Sequence, residues 1–421
     1  MSNPLLENLR VLDLTRLLPG PFCTLYFAQL GAEVIKIEEP NGGDYIRALT
    51  PELFEVVNRG KKSVTLDLRQ PAAVTVLKRL VEDADVLVES FRPGVMDKLG
   101  CGYETLKAIN PRLVYASLTG YGHTGPYRDR AGHDMNYCGY AGVLDQIGVA
   151  GAGPALSNVQ IADLAGGALT CATGILAAVL GARTSGQGCF VDVAMLDGTL
   201  ALQAVATATL RTHGRTQPRG ADMLSGALPN YHLYRCRDGR YLAVGALEMK
   251  FFQRLLEELT QLAPQPLKQA IDRLGAVRKR PRKTGGEKTP AGKSAGSAAK
   301  GLLAQLERTM RDPAKARRLM APLRWALAGV FRLKTRDEWE RLLADRDACT
   351  SAVLTLEEAF ENEQVRARGL VEYAGGKPAL RNPIRFVGAS TASGAAPALG
   401  EHTREVLARA GFTDTEARSP S

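Results

Sequence analysis

Short apolar runs separated by helix-length segments constrain this chain more than any other feature. Arg10–Leu14 (RVLDL) reads as a buried strand, and Glu33–Glu38 (EVIKIE), Ser63–Leu68, Asp85–Glu89 and Arg112–Ser117 follow as further strands. Between them lie helical stretches at Phe22–Leu30, opened by Pro21 and stopped by Gly31, and at Pro71–Asp83. This alternation predicts βαβ units, an α/β fold class and a mostly parallel sheet. Ligands of such sheets sit beyond the carboxyl ends of the strands, so the loops to watch start at Thr15, Glu89 and Thr119.

Past the sheet the texture changes. Val159–Arg183 and Met195–His213 read as helices, with a strand-like Gly188–Val193 between them. A polar connector, Gly214–Gly226, leads to two short strands, Tyr231–Cys236 and Tyr241–Gly245, around the Asp238-Gly239 turn. A helix at Lys250–Leu262 follows. These segments predict a large domain over 1–213, completed by about 346–421, and a smaller α+β domain over 226–345. Residues 264–301 lose apolar periodicity and are rich in Lys, Arg, Gly, Pro, Ser and Ala, which predicts a disordered insertion. Helical texture returns over Leu302–Leu343. A Gly/Ala/Pro tether at Gly388–Gly400 precedes a short helix at Glu401–Ala410.

The net charge of +10 over 421 residues is a local property. Residues 268–334 hold 18 Lys and Arg against 4 Asp and Glu, a balance of +14, so the rest of the chain carries −4. That pattern does not mark a nucleic-acid-binding fold. Leu164–Ala182 runs 19 residues without a charge, but it is mostly Ala, Gly and Thr and reads as a close-packed buried helix, not a membrane span. Seven cysteines are scattered without a C-x-x-C pair, and no basic stretch leads into an apolar run at the start. A reducing cytoplasm is the expected setting.

Three ionisable groups stand where a folded chain does not usually want them. His133, one of five histidines, starts a helix expected to reach about Ile147. The helix start favours its neutral form, which can accept a proton near pH 7. Asp163 begins the most apolar helix, and Glu248 ends an apolar strand in Val244-Gly245-Ala246-Leu247-Glu248. Each has a plainer reading: a structural histidine, a helix cap, a surface carboxylate. Together they could form a two-base device, in which one base takes a proton from carbon and the other returns one to the opposite face. Backbone N–H groups at a helix start could hold the enolate oxygen. Spacing alone does not bring the three together. G-x-S-x-G, G-x-x-x-x-G-K-[ST] and H-E-x-x-H are all absent, which counts against serine hydrolases, nucleotide kinases and zinc peptidases.

At these residues the chain resembles the CaiB/BaiF family, the family III CoA-transferases, and within it the α-methylacyl-CoA racemase branch. The blocks that carry the resemblance are Leu17-Leu18-Pro19-Gly20-Pro21-Phe22-Cys23, Asn58-Arg59-Gly60-Lys61-Lys62-Ser63, Leu66-Asp67-Leu68 and Phe91-Arg92-Pro93-Gly94-Val95. Further along come Gly132-His133-Asp134-Met135-Asn136-Tyr137, Ala162-Asp163-Leu164-Ala165-Gly166-Gly167, Ala243-Val244-Gly245-Ala246-Leu247-Glu248 and Gly400-Glu401-His402-Thr403.

The resemblance implies an interlocked homodimer with a Rossmann-like large domain, acting on acyl-CoA thioesters without a metal or redox cofactor. The local charge and the small-residue helix described above leave the expectation of no nucleic-acid or membrane partner. In the racemase branch His133 and Asp163 would be the two bases, Glu248 would orient the histidine, and the N–H of Asp134 would hold the thioester oxygen. CoA would be held by Leu66, Asp67, Leu68, Arg69 and Arg92, with Gly132, Asn136 and Tyr137 beside it. In the transferase branch Asp163 would instead attack the acyl-CoA and form an anhydride. Oxalate-type transferases carry a glycine-rich loop where this chain has Leu224-Ser225-Gly226-Ala227-Leu228-Pro229, which favours the racemase. An idle relative that only binds acyl-CoA is the remaining alternative. Glu39 stands where racemases often have an arginine, which removes one contact to CoA, and Met249 stands where proline is common.

Overall fold

A computed structural model describes residues 4–262, Gln265, Lys268, 313–374, 376–392 and 394–412. Two compact units divide the chain: Met1–Leu144 with Leu156–Ala204 and Phe360–Ser421, and Asp145–Ala155 with Val205–Ala359.

Six strands form the sheet of the first unit: β1 (Arg10–Leu14), β2 (Glu33–Glu38), β3 (Lys62–Thr65), β4 (Val86–Glu89), β5 (Val114–Thr119) and β6 (Phe190–Ala194). Every pairing is parallel, in the order β3-β2-β1-β4-β5-β6. The order reverses between β1 and β4. Successive side chains point to opposite faces, and here both faces are apolar. Val11, Val34, Val86, Val88 and Val114 pack on one face against Cys23 and Phe27 of helix Pro19–Gln29 and Ile175 and Val179 of helix Thr170–Ser185. Leu12, Ile35, Leu87 and Tyr115 pack on the other against Leu77 and Leu80 of helix Pro71–Glu82, Leu106 of helix Tyr103–Ile109, and Val406 and Leu407 of helix Thr403–Arg409. Burial of each such side chain stabilises the fold by roughly 1.5–3 kcal/mol.

An edge strand leaves backbone groups unpaired, and β3 solves this with a segment from the far end of the chain. Ser63 O accepts the His402 N–H at 2.9 Å, and Thr65 N–H donates to Thr403 Oγ1 at 3.1 Å.

The expected strands are all present, with shifted ends. β3 stops at Thr65, not Leu68, because the Asp67 carboxylate accepts the Arg69 N–H at 3.1 Å and turns the chain. β5 begins at Val114 and β6 at Phe190, each two residues later than expected. The helix expected from His133 to Ile147 is broken at Gly142, whose φ of +73° only glycine adopts without strain, leaving Asp134–Tyr140 and Val143–Gln146. The helix expected over Met195–His213 likewise divides into Met195–Ala201 and Ala204–His213. The uncharged segment, expected to be a close-packed buried helix, packs on the sheet but buries one face only; Leu169, Leu176 and Leu180 are exposed.

Beneath the loops after β1 and β2 lies a buried ionic network. Lys61 Nζ reaches Asp13 Oδ2 (3.0 Å), Pro21 O (2.9 Å), Thr24 Oγ1 (2.7 Å) and Asn58 Oδ1 (2.8 Å). Lys36 Nζ donates to Thr15 O at 2.8 Å and pairs with Asp44 Oδ2 at 3.0 Å. Burial alone would raise the Asp13 carboxyl. The Lys61 and Lys36 charges and the Thr15 and Thr24 hydroxyls outweigh it and hold that group well below the usual carboxylate range.

In the second unit β7 (Tyr231–Arg235), β8 (Tyr241–Gly245) and β9 (Thr350–Ala352) form an antiparallel sheet. Leu255, Leu256, Leu327, Phe331 and Trp339 pack against it from helices Met249–Leu262, Pro313–Phe331 and Arg336–Leu343. The sequence does not announce β9, which is three residues long and partly polar. Apart from Gln265 and Lys268, the basic insertion at 264–301 lies outside the described residues, as do residues 302–312.

Replacing Lys61 by methionine leaves Asp13 buried without its cation. The expected loss is about 3–5 kcal/mol of unfolding free energy, read by urea denaturation. Adding Asp13→Asn to that variant should recover a large part of the loss.

Candidate active site

The loop that leaves β5 is shaped by a tyrosine. Tyr137 donates its hydroxyl to Gly132 O at 2.6 Å and lays its ring against Gly120 and Gly132. A Cβ at residue 132 would sit 2.7 Å from that ring and 2.8 Å from the Tyr121 hydroxyl, so only glycine fits. The backbone then reaches His133 in an extended conformation (φ −131°, ψ 175°) just before helix Asp134–Tyr140. Asn136 reaches back, its Oδ1 accepting the His133 N–H at 3.0 Å. Asn136 and Tyr137 therefore build the turn, and the His133 side chain is left exposed. The Asp134 N–H occupies the first helical position, where no intrahelical acceptor exists.

The Asp134 side chain makes the decisive connection. Its Oδ1 accepts the N–H of Ala162 at 2.7 Å and of Asp163 at 3.0 Å. A carboxylate at a helix start satisfies donors that have no other partner and meets a favourable dipole. His133 is thus the direct neighbour of a side chain bonded to the backbone of Asp163.

Asp163 opens a π-helix, Ala162–Leu169, that continues as helix Thr170–Ser185. Such wide turns are rare and recur at functional sites. Here the helix is pressed against Met195–Ala201 with almost no side chains between. A Cβ on Gly166 would lie 2.3 Å from Thr199 Oγ1, and one on Gly198 would lie 1.9 Å from Gly166 O. The Thr170 hydroxyl bonds Ala165 O, five residues back, at 3.1 Å.

Burial raises the Asp163 carboxyl to about 7, with the Asp134 charge as a second cause. At neutral pH the group is divided between its acid and its conjugate base, the state a proton donor and acceptor needs. Glu89, at the end of β4, is raised to about 7 by burial as well, although a hydrogen bond from Ser117 and the Phe91 N–H at 2.7 Å oppose the rise.

The remaining expected residues are distributed as follows. Leu66, Asp67, Leu68 and Arg69 form the turn at the carboxyl end of β3, where Arg69 pairs with Asp67 at 2.7 Å and with Glu39 at 3.4 Å. The residue that replaces an expected arginine thus binds one of the expected CoA contacts. Arg92 is exposed on the loop after β4. Glu248 belongs to the second unit, exposed at the start of helix Met249–Leu262, where its carbonyl accepts the Phe251 and Phe252 N–H groups. Among the described residues no group of three or more His, Cys, Asp or Glu is arranged to hold a metal ion. Two features have no signal in the local sequence: the Asp134 carboxylate as a clamp, and the π-helix. Glu89 does have one, since a carboxylate closing an apolar strand is out of place.

Alanine at Gly198 drives a methyl group into the Gly166 carbonyl. We expect a stability loss of about 1–3 kcal/mol by urea denaturation. Gly181→Ala, in helix Thr170–Ser185 with open space at its Cα, should leave stability within roughly 1 kcal/mol of the parent or raise it.

Comparison with known proteins bears on this arrangement. The family model for CoA-transferase family III matches residues 6–282 and 295–403. The chain is 33% identical over 415 residues to an α-methylacyl-CoA racemase of Homo sapiens, spanning 98% of this chain and 94% of that protein. It is 36% identical over 248 residues to a succinyl-CoA:glutarate CoA-transferase of Mus musculus, spanning 57% of this chain and 56% of that protein. Among solved structures, a CaiB/BaiF family protein from Brucella suis superposes with a TM-score of 0.74 at 30% identity, over 97% of this chain and all of the other. With its parallel sheet, its separate antiparallel sheet and a family match along nearly its whole length, the chain belongs to the family III CoA-transferases, the CaiB/BaiF family.

Proposed function

We propose that this protein epimerises 2-methylacyl-CoA thioesters by removing and returning the proton at Cα. The observation that carries the reading is the Asp134 clamp. One carboxylate holds the backbone of Asp163 while its neighbour in sequence is His133, which supports the two acting together. One base takes the Cα proton, the charge moves onto the thioester oxygen, and the N–H of Asp134 at the helix start stabilises it. The other base supplies a proton from the opposite face. Asp163, titrating near 7, suits either direction of this exchange. Arg92 and the Leu66–Arg69 turn would hold CoA, with Gly132, Asn136 and Tyr137 forming the wall beside the thioester. The exposed apolar face of Leu169, Leu176 and Leu180 supports a homodimer. Seven free thiols, five of them buried, support a reducing cytoplasm.

A CoA-transferase with Asp163 as nucleophile is the second reading, favoured by the transferases to which the chain is similar. A carboxyl group titrating near 7 is only partly ionised at neutral pH, which suits proton transfer better than attack on carbon. Mixing an acyl-CoA with a free carboxylic acid separates the two. Inversion and solvent exchange without an acceptor support the epimerase, and CoA appearing on the added acid supports the transferase.

His133→Ala and Asp163→Ala should each slow α-proton exchange into deuterated water by roughly 10²–10⁴-fold; the double variant exchanging at the parent rate would refute the two-base assignment. Asp134→Asn keeps an acceptor for the two N–H groups but removes a charge that raises the Asp163 carboxyl. A carbon-13 titration of Asp163 should therefore show its midpoint below the parent value of about 7. An unmoved midpoint would count against the electrostatic link.

A further inference from the structure

The loops after β1 and β4 flank the place where the strand order reverses. Open parallel sheets form a ligand crevice at that place. Arg16 lies on the first loop and is half-buried. Its guanidinium carbon is 4.9 Å from the centre of the Tyr45 ring and 5.1 Å from that of Phe91. Nη1 donates to the Tyr45 hydroxyl at 2.8 Å. No carboxylate pairs with it among the described residues. Neighbouring arginines of the same unit differ: Arg47 is bound by Glu38, Arg59 by Glu372 and Arg69 by Asp67.

Both loops are held from below. Leu17, next to Arg16, sits at φ +65°, a conformation that costs a bulky residue on the order of 1–3 kcal/mol. It persists because Asp44 accepts the Leu17 N–H at 2.9 Å and Lys36 ties Asp44 to Thr15 O. On the other side Glu89 accepts the Phe91 N–H at 2.7 Å, and Ser90 Oγ accepts the Arg16 N–H at 3.3 Å. The strain and the buried charges leave an immobilised cation, stacked on aromatic rings and lacking a counter-ion, at the crevice of the sheet. The same loop as Phe91 carries Arg92, whose guanidinium also has no carboxylate partner among the described residues.

We propose that Arg16 is a phosphate-binding residue of the substrate site, taking a phosphate of the CoA carrier. The proposal rests on the acyl-CoA reading but not on the choice between epimerase and transferase. A planar guanidinium flanked by rings keeps its outward N–H groups free for two oxygens of one phosphate, and this geometry favours arginine over lysine.

The test is equilibrium titration of the full chain, as parent, Arg16→Met and Arg16→Lys, with CoA, 3′-dephospho-CoA and pantetheine. Arg16→Met should weaken CoA about 10–100-fold, with Arg16→Lys between it and the parent, while pantetheine binds all three alike. If the loss persists with 3′-dephospho-CoA the contact is to the diphosphate; if it vanishes the contact is to the 3′-phosphate. Equal weakening of CoA and pantetheine would show that Arg16 only supports the loop and would overturn the proposal, as would unchanged CoA affinity in Arg16→Met. Failure of the parent chain to bind CoA at all would overturn the acyl-CoA reading along with it. Should Arg16→Met not fold, Arg16→Lys with the same three ligands decides.

Discussion

A single carboxylate ties together two distant segments of the large unit. Asp134 sits 28 and 29 residues before the backbone groups it binds, and it adds a polar tie to the apolar packing of Tyr137 and Cys138 with Ala162 and Ala168. The two hydrogen bonds are charge-assisted and satisfy donors at a helix start, the strongest setting for such contacts. The contact also has an electrostatic effect. A second negative charge beside Asp163 adds to burial in raising its titration toward neutrality. The hydrogen bonds to the Asp163 backbone and the rise of its carboxyl therefore share one source.

Stability and geometry pull against each other elsewhere in the large unit. Lys61, Lys36, Asp13 and Asp44 are fully shielded from water, and ions in such places seldom stabilise a fold more than packed hydrocarbon would. Their effect is better seen in what they immobilise. Lys61 holds the first turn of helix Pro19–Gln29 through Pro21 O, and Lys36 holds the loop that carries a left-handed leucine. The network sacrifices stability for a defined loop, an arrangement expected where the loop, and not the core, makes contact with a ligand.

Much of this was legible before any coordinates. The strands of the sheet declare themselves because a strand buried on both faces must be apolar throughout, and RVLDL and EVIKIE are nearly so. His133 and Asp163 stand out because an ionisable group beside apolar neighbours is costly unless used, and the motif blocks named the family. What stayed hidden depends on distant partners. The π-helix arises where Gly166 meets Gly198, 32 residues apart. The Asp134 side chain looks like any acidic residue in a first helical turn. β9 is too short and too polar for a period-two pattern, and the hairpin of Val371–Ala374 with Lys377–Leu380 has no apolar run to announce it. The break at Gly142 was visible as a glycine, but only its positive φ turns it from a tolerated residue into a stop.

The closing of β3 by His402 and Thr403 has a consequence in time as well as space. A ribosome releases Lys62–Thr65 early and the covering residues some 340 positions later. Throughout that interval the nascent sheet carries a bare template along one side, open to any extended peptide in the cell. Maturation of the large unit must therefore wait until synthesis has passed Thr403, and the chain depends on whatever shields it meanwhile. A protein truncated before Gly400 would keep every strand of its sheet and still keep that side unguarded.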